Sequence, residues 1–289
     1  MLKKTRPDGT LLRDLPHFTR LLPYLMGTRT DSTIFFEQEM DVTHALEYVR
    51  ARGGERVSFF QVFLCAAVRT LALRPKLNRF ISGYHYYQRN GIIFNFVAKK
   101  KLTDEGEEIN ITLSFAPDET LSTLPAKVSA MVNRGKSGGT NEGDSLNAFL
   151  VKLPRFVIRL VIGTLRALDY HNMLPGSFLA SLPFWASIFF TNVGSVGIDA
   201  PFHHNFNLGT CGFFIALGKI RKERVTGPDG SVTTRDKVKV TFTYDDRIAD
   251  GIYCGRAIDL FRTFVESPEQ LEEPLQLSPQ QRAELMLKQ

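Results

Sequence analysis

The densest run of reactive side chains in this sequence is Val240 to Leu271, VTFTYDDRIADGIYCGRAIDLFRTFVESPEQL. A strand enters a turn at Asp245-Asp246-Arg247, and Asp250-Gly251 then caps a helix carrying Ile258, Phe261 and Val265 on its inner side. Asp250 has a plain structural role open to it, an N-cap with Gly beside it for close approach, whether or not it also serves a site. A second group is the predicted loop Pro201-Phe202-His203-His204-Asn205. Adjacent side chains in extended backbone diverge, so at most one of His203 and His204 faces a common centre. Without an Asp or Glu at ligand spacing the pair is a weak metal signal, and no metal is expected. His17, His44, His85 and His171 are isolated and read as structural or exposed.

These residues need elements to hold them. The first ~30 residues read as an arm, turned at Pro7-Asp8-Gly9 and kept from a long helix by Pro16 and Pro23. Thr33 to Asp41 is strand-like, a short helix runs to Arg52, and Val57 to Leu73 is a buried helix with Ser58 as its cap. Phe80 to Gln88, Ile92 to Ala98 and Ile109 to Phe115 read as strands, with Asn90-Gly91 as a hairpin turn. Thr120 to Asn133 reads as helix, Gly135 to Gly143 as a surface loop, and Leu146 to Tyr170 as two helical pieces parted near Pro154. Arg155, Arg159 and Arg166 share one helix face. Ser187 to Asn192, Phe213 to Gly218 and Lys237 to Tyr244 are strands, and Ile252 to Glu266 is the closing helix. Mixing of elements without strict βαβ alternation predicts a single α+β domain.

The 289 residues, 43% hydrophobic and 23% charged, suit a globular protein and exclude long disorder. Cys65, Cys211 and Cys254 are too few and too far apart for a disulfide framework or metal knuckle and fit a reducing cytoplasm. No signal peptide is readable at the start, and Phe149 to Leu168 is broken by Lys152, Pro154 and three arginines, far short of a membrane span. The net charge of +6 is compatible with phosphate-bearing ligands, an acidic partner or a membrane face. The basic residues are scattered and form no nucleic-acid motif, so no nucleic-acid partner is expected.

The Val240 to Leu271 run resembles the C-terminal signature of the 2-oxo acid dehydrogenase acyltransferases and of chloramphenicol acetyltransferase. There a strand ends in Tyr-Asp-His-Arg, then comes Asp-Gly and a helix ending near Pro-Glu-Leu; Tyr244, Asp245, Arg247, Asp250, Gly251, Pro268, Glu269 and Leu271 match. Thr191-Asn192-Val193-Gly194, with Ser195 to Gly197, resembles the family's Ser-Asn-Leu-Gly segment, and Phe213 to Gly218 its Ala-Ile-Leu-Gly strand. Phe35 to Val42, the following helix and Pro75-Lys76-Leu77-Asn78 resemble its opening. The similarity runs from about Ile34 to Leu271.

The resemblance implies an α+β, chloramphenicol-acetyltransferase-like two-layer sandwich: a mixed β-sheet packed by helices, with a helical insertion at about 144–180. An arm at 1–32 would precede an acyltransferase-like domain at 33–272 and a tail at 273–289, without lipoyl or subunit-binding domains. It implies a homotrimer with sites between subunits, coenzyme A or acyl-coenzyme A as substrate, and small-molecule acyl donor and acceptor. The family's catalytic histidine falls on Asp246. That histidine takes the proton from a thiol so that the thiolate attacks a thioester; an aspartate near pKa 3.9 is a poor base unless burial raises it. Thr191 falls where a serine hydroxyl binds the tetrahedral oxyanion, although a β-branched residue also simply suits a strand. Either Asp246 or His204, with His203 beside it, would handle the proton, and Asp250 would hold the turn. The alternative is a catalytically inactive pseudoenzyme, a trimeric scaffold or ligand-binding module. The arginine-bearing insertion reads as a solvated face, or as a lid, a docking surface, or a peripheral membrane contact through 146–168.

Overall fold

The structure is a computed structural model that describes residues 5–53, 57–99, 106, 108–137 and 151–287. The chain runs β1 (Gly9–Leu11), α1 (His17–Leu25), β2 (Thr33–Asp41), α2 (Thr43–Ala51), α3 (Phe59–Leu73), β3 (Arg79–Ser82), β4 (His85–Arg89), β5 (Ile92–Lys99) and β6 (Glu108–Phe115). It continues through α4 (Leu124–Lys136), α5 (Arg155–Tyr170), α6 (Gly176–Ser181), β7 (Ile188–Asn192), β8 (Phe213–Thr226), β9 (Val232–Asp245), α7 (Gly251–Glu266) and α8 (Pro279–Leu285). A six-stranded mixed sheet has the order β2-β9-β8-β7-β5-β6, with β7 parallel to both of its neighbours. A small sheet, β1-β4-β3, lies apart from it. The expected α+β class and mixed sheet packed by helices are what the chain forms.

Helix α3 forms where its apolar run begins because Ser58 and Gln61 close a capping box: Gln61 N–H donates to Ser58 Oγ (3.3 Å) and Ser58 N–H to Gln61 Oε1 (2.7 Å). Every residue from Gln61 to Ala72 is buried, so this helix is apolar all round. Phe63 meets Phe261 of α7 edge to face at 5.7 Å, and Phe261 meets Phe242 of β9 at 5.7 Å. Alternation then decides which strand residues face the helices: Ile188, Phe190, Phe213, Ile215, Phe242 and Tyr244 join this core. Phe189 and Phe214, in register, turn to the opposite face, where they pack with Phe206 and Cys211.

Three expectations need correction. Asn90-Gly91 does not close a hairpin. The strand before it is already flanked on both sides, by β1 and β3, so β5 passes on to pair with β6 and β7 in the large sheet. The hairpin instead lies inside Phe80 to Gln88, at Gly83 and Tyr84, whose φ of 53° and 62° make the left-handed turn that suits twisted strands. β8 and β9 also extend well beyond Phe213 to Gly218 and Lys237 to Tyr244. Their polar outer halves carry no burial signal and are held by cross-strand pairs such as Glu223 with Arg235 and Lys222 with Asp236. The helix expected from Thr120 starts at Leu124, because the Thr123 hydroxyl is spent on Glu119 (2.6 Å) in the preceding turn.

The arm is folded onto the body. Arg6 is buried, and its guanidinium donates to Asp8, Ser82, Asn172 and Asp169. Of the expected insertion, the first helical piece at 146–150 lies outside the described residues, as do residues 138–143 of the expected loop, whose first two residues, Gly135 and Lys136, instead extend α4. The second is α5, which turns Arg155, Arg159 and Arg166 outward beside exposed Phe156 and Leu160. Its last turn tucks Asp169 inward onto Arg6 and the Trp185 indole N–H (3.0 Å). No helix among the described residues is long and apolar enough to cross a membrane.

Candidate active site

β9 delivers Asp245 into a fully buried position at the end of the sheet. Its Oδ1 accepts from the Ser32 hydroxyl (2.9 Å) and from Arg247 Nε (2.8 Å), and its Oδ2 accepts from Arg247 Nη2 (2.7 Å). Arg247 Nη1 donates onward to the Met26 carbonyl (2.8 Å), which ties the turn to the segment between α1 and β2. This bidentate pair locks the turn, and Asp246 is oriented by it: its N–H donates to the Ser32 carbonyl (2.9 Å). The Asp246 side chain stays half-buried. Burial, then the neighbouring charges of Asp245 and Asp250, push its carboxyl above the ordinary 3.8. Below it lie Tyr244 and Cys254, both pushed up to about 12, chiefly by burial.

Asp250 is exposed and caps α7, its Oδ1 accepting from Tyr253 N–H (2.9 Å). The capping role is therefore real, and the same charge raises Asp246. Asp250→Ala should lower stability by about 1 kcal/mol, read as a small drop in Tm in a thermal melt.

Thr191 is half-buried near the end of β7, on the face away from the helices, in register with Ala216 and through it with Thr241. The turn that follows approaches β8 so closely that a Cβ on Gly194 would run into the Gly218 carbonyl, which accounts for the glycine there. From Thr241 to Asp245 is four strand steps, and β7 to β9 is two strands. At about 3.4 Å per step and 4.8 Å per strand, Thr191 and Asp245 of one chain are roughly 17 Å apart. The structure thus brings Asp245, Asp246 and Asp250 together but leaves Thr191 of the same chain remote.

The loop before β8 crosses the face that carries Thr191. The Pro201 carbonyl accepts from Thr241 Oγ1 (2.6 Å), and Phe202 meets Phe35 of β2 at 5.8 Å. His203 stacks flat on Phe214, with ring centroids 3.8 Å apart and planes at 3°. Phe214 is the diagonal neighbour of Thr191 across the β7–β8 pair, so of the two histidines His203 lies nearer to it. His204 is exposed and its ring is turned toward Phe206. Nδ1 of His203 is engaged by the His204 carbonyl (2.9 Å), and Nδ1 of His204 by the Asn205 carbonyl (3.1 Å). All three cysteines are free and buried, and no cluster of three or more metal-ligating side chains exists among the described residues. Ser32, Met26 and Tyr86, which support the turn, carried no local signal; their contacts to it span more than 150 positions.

Solved structures of dihydrolipoamide acetyltransferase cores and of a chloramphenicol acetyltransferase share this fold. A probable dihydrolipoamide acetyltransferase from Listeria monocytogenes superposes with a TM-score of 0.59 at 14% identity, covering 91% of this chain and 96% of that one. A structure of the Azotobacter vinelandii dihydrolipoamide acetyltransferase, studied for the catalytic roles of a serine, a histidine and an asparagine four residues beyond the histidine, gives 0.58 at 14% identity, over 90% of this chain and 93% of that one. A chloramphenicol acetyltransferase gives 0.54 at 12% identity, over 91% and 100%. At these identities the likeness is one of fold. In sequence, residues 186–272 match the family described as 2-oxoacid dehydrogenases acyltransferase (catalytic domain), the segment that contains Thr191, the histidine loop, Asp246 and Asp250. No functionally curated protein matches the chain. The chain therefore carries an acyltransferase catalytic-domain fold.

Proposed function

We propose that this protein transfers an acyl group between a coenzyme A thioester and a second small molecule, with Asp246 as the proton acceptor. The observation that carries the reading is Asp246 itself: a half-buried carboxyl held above its ordinary range, on a turn locked by Asp245 and Arg247. Asp246 and Asp250 also keep the four-residue spacing of the histidine and asparagine studied in the Azotobacter enzyme. The Asp246 carboxylate takes the proton of the attacking thiol or hydroxyl. The nucleophile adds to the thioester carbonyl, and a Thr191 hydroxyl donates to the oxygen that becomes negative. Collapse expels the other thiolate, which recovers the proton from Asp246 and leaves the carboxylate as it began.

Thr191 and Asp246 lie too far apart within a chain to share one substrate, so the Thr191 hydroxyl comes from a second copy, in the trimer that the resemblance implies. Co-expression of Asp246→Asn with Thr191→Val tests this. Random assembly of two inactive chains should return roughly a quarter of the wild-type sites, each with one intact Asp246 facing one intact Thr191. No recovery would sink the shared site.

A second reading, the inactive scaffold or ligand-binding module, is favoured by the chemistry at the same position. A carboxylate removing a thiol proton near pKa 8.5 works against a gradient of several units unless its own pKa is raised. Calorimetry with coenzyme A and acetyl-coenzyme A, followed by a turnover assay, separates the two. Binding with turnover supports the transferase; binding without turnover supports the ligand-binding module, and absence of both the scaffold.

A further inference from the structure

A groove of about 670 Å³ runs between the arm and the β3–β4 hairpin, within the size range of small-molecule sites and distinct from the face that carries Thr191. Its walls include Leu11, Leu15 and Leu21 together with the Tyr24 and Tyr84 rings, which stack at 4.7 Å and 10°. Leu21 is 49% exposed, Tyr24 64% and Tyr84 41%, so this apolar surface has no cover within the described chain. Arg13 and Arg20 also line the groove, both exposed, and none of its lining residues is a carboxylate. Neither arginine has an ion-pair partner among the described residues, unlike buried Arg6, Arg89 and Arg247. Aliphatic walls with unpaired cations define the complement of a chain that ends in a negative group.

The groove also touches the candidate site. Tyr86 lines it, and the Tyr86 hydroxyl lies 2.8 Å from the Thr19 carbonyl and 3.1 Å from the Arg247 carbonyl, one residue past Asp246. The groove wall and the turn that carries Asp246 thus share one side chain, Tyr86.

We propose that this groove binds an amphiphilic anion, an aliphatic chain with a phosphate or carboxylate head, the chain lying along the leucines and stacked tyrosines and the head meeting Arg13 and Arg20. A long-chain acyl-coenzyme A and a free fatty acid share this chemistry.

The test is calorimetry on the full chain with palmitate, palmitoyl-coenzyme A and coenzyme A alone. The groove predicts that at least one of the two chain-bearing probes binds, and that coenzyme A gains nothing from this site. Palmitate binding as well as the thioester identifies a carboxylate head; palmitoyl-coenzyme A binding alone, weakened in the groove variants described next, identifies the phosphate-bearing carrier, and the same binding unweakened in them belongs to the candidate active site and overturns the proposal. Leu21→Asp should weaken binding of the chain-bearing probe by about tenfold or more, since Leu21 contributes apolar contact and the new charge repels the head. Arg13→Ala with Arg20→Ala should cost about tenfold and flatten the salt dependence. Both variants alter exposed side chains, and unchanged melts would show that they fold. Failure of both chain-bearing probes to bind, or equal binding to wild type and both variants, overturns the proposal. A change of oligomeric state in the variants overturns it in favour of an interface between copies. Turnover of acetyl-coenzyme A, which has no long chain, should persist in both variants, so the groove and the transferase reading fail independently.

Discussion

Asp246→Asn should reduce acyl turnover by roughly 10²- to 10⁴-fold while leaving acetyl-coenzyme A binding within a few fold of wild type. The amide keeps the size and the backbone contact to Ser32 but cannot take a proton. The fold should not suffer. A carboxyl whose pKa rises on folding favours the native state when protonated and disfavours it as pH climbs through the raised value, so a neutral amide removes a cost at neutral pH. A melt in which the variant is at least as stable as wild type, beside lost turnover, would isolate the chemical role. The pH profile carries the same sign. The reactive form is the carboxylate, so kcat/KM should fall as pH drops through a value above the ordinary 3.8. Asp246→His is the complementary variant: an imidazole near pKa 6.5 should move that acid limb upward and raise the rate. Equal turnover by wild type and Asp246→Asn would exclude Asp246 as the base. Turnover absent from wild type and present only in Asp246→His would establish the scaffold reading.

Asp245→Ala should cost about 3–5 kcal/mol of folding stability, because it strands a buried guanidinium rather than merely deleting a pair. Arg247 is 4% and Asp245 1% exposed at the side chain, and three of the guanidinium's contacts, two to Asp245 and one to Met26, lie inside the fold. The drop in Tm should be roughly 5–15 °C. Asp245→Leu combined with Arg247→Met should recover much of that loss, since apolar residues of similar volume need no charge partner. Activity should not return with stability. Ser32 is held by the Asp245 carboxylate and itself holds the Asp246 N–H, so the double variant leaves the base without its anchor. A double variant that regains both would show that the pair serves stability alone.

The elements legible in the sequence are those whose causes are local. β2 spans the expected Thr33 to Asp41, and α3 begins one residue past its expected cap because Ser58 and Gln61 satisfy each other's backbone donors. α7 begins where Asp250-Gly251 predicts it, for the same reason. The sequence alone also pointed to the acyltransferase-like fold, because the motifs around Thr191 and Asp246 and the opening strand and helix stand in the right order.

What only tertiary structure decided depends on residues far apart. Asn90-Gly91 has the composition of a hairpin, yet the strand before it was already paired on both sides, and partner availability overrides turn chemistry. Arg6 and Arg247 each have a carboxylate two residues away, Asp8 and Asp245, but the groups that enclose them also include Asp169 and Met26, at separations of 163 and 221 residues, which no window of sequence reveals. Arg13 and Arg20 stay outside, over a groove made by folding the arm onto the hairpin. The two ends of the proposed mechanism were both visible as residue types. Their separation is a matter of strand order and register, which puts β7 two strands from β9 and turns one chain into half of the proposed site.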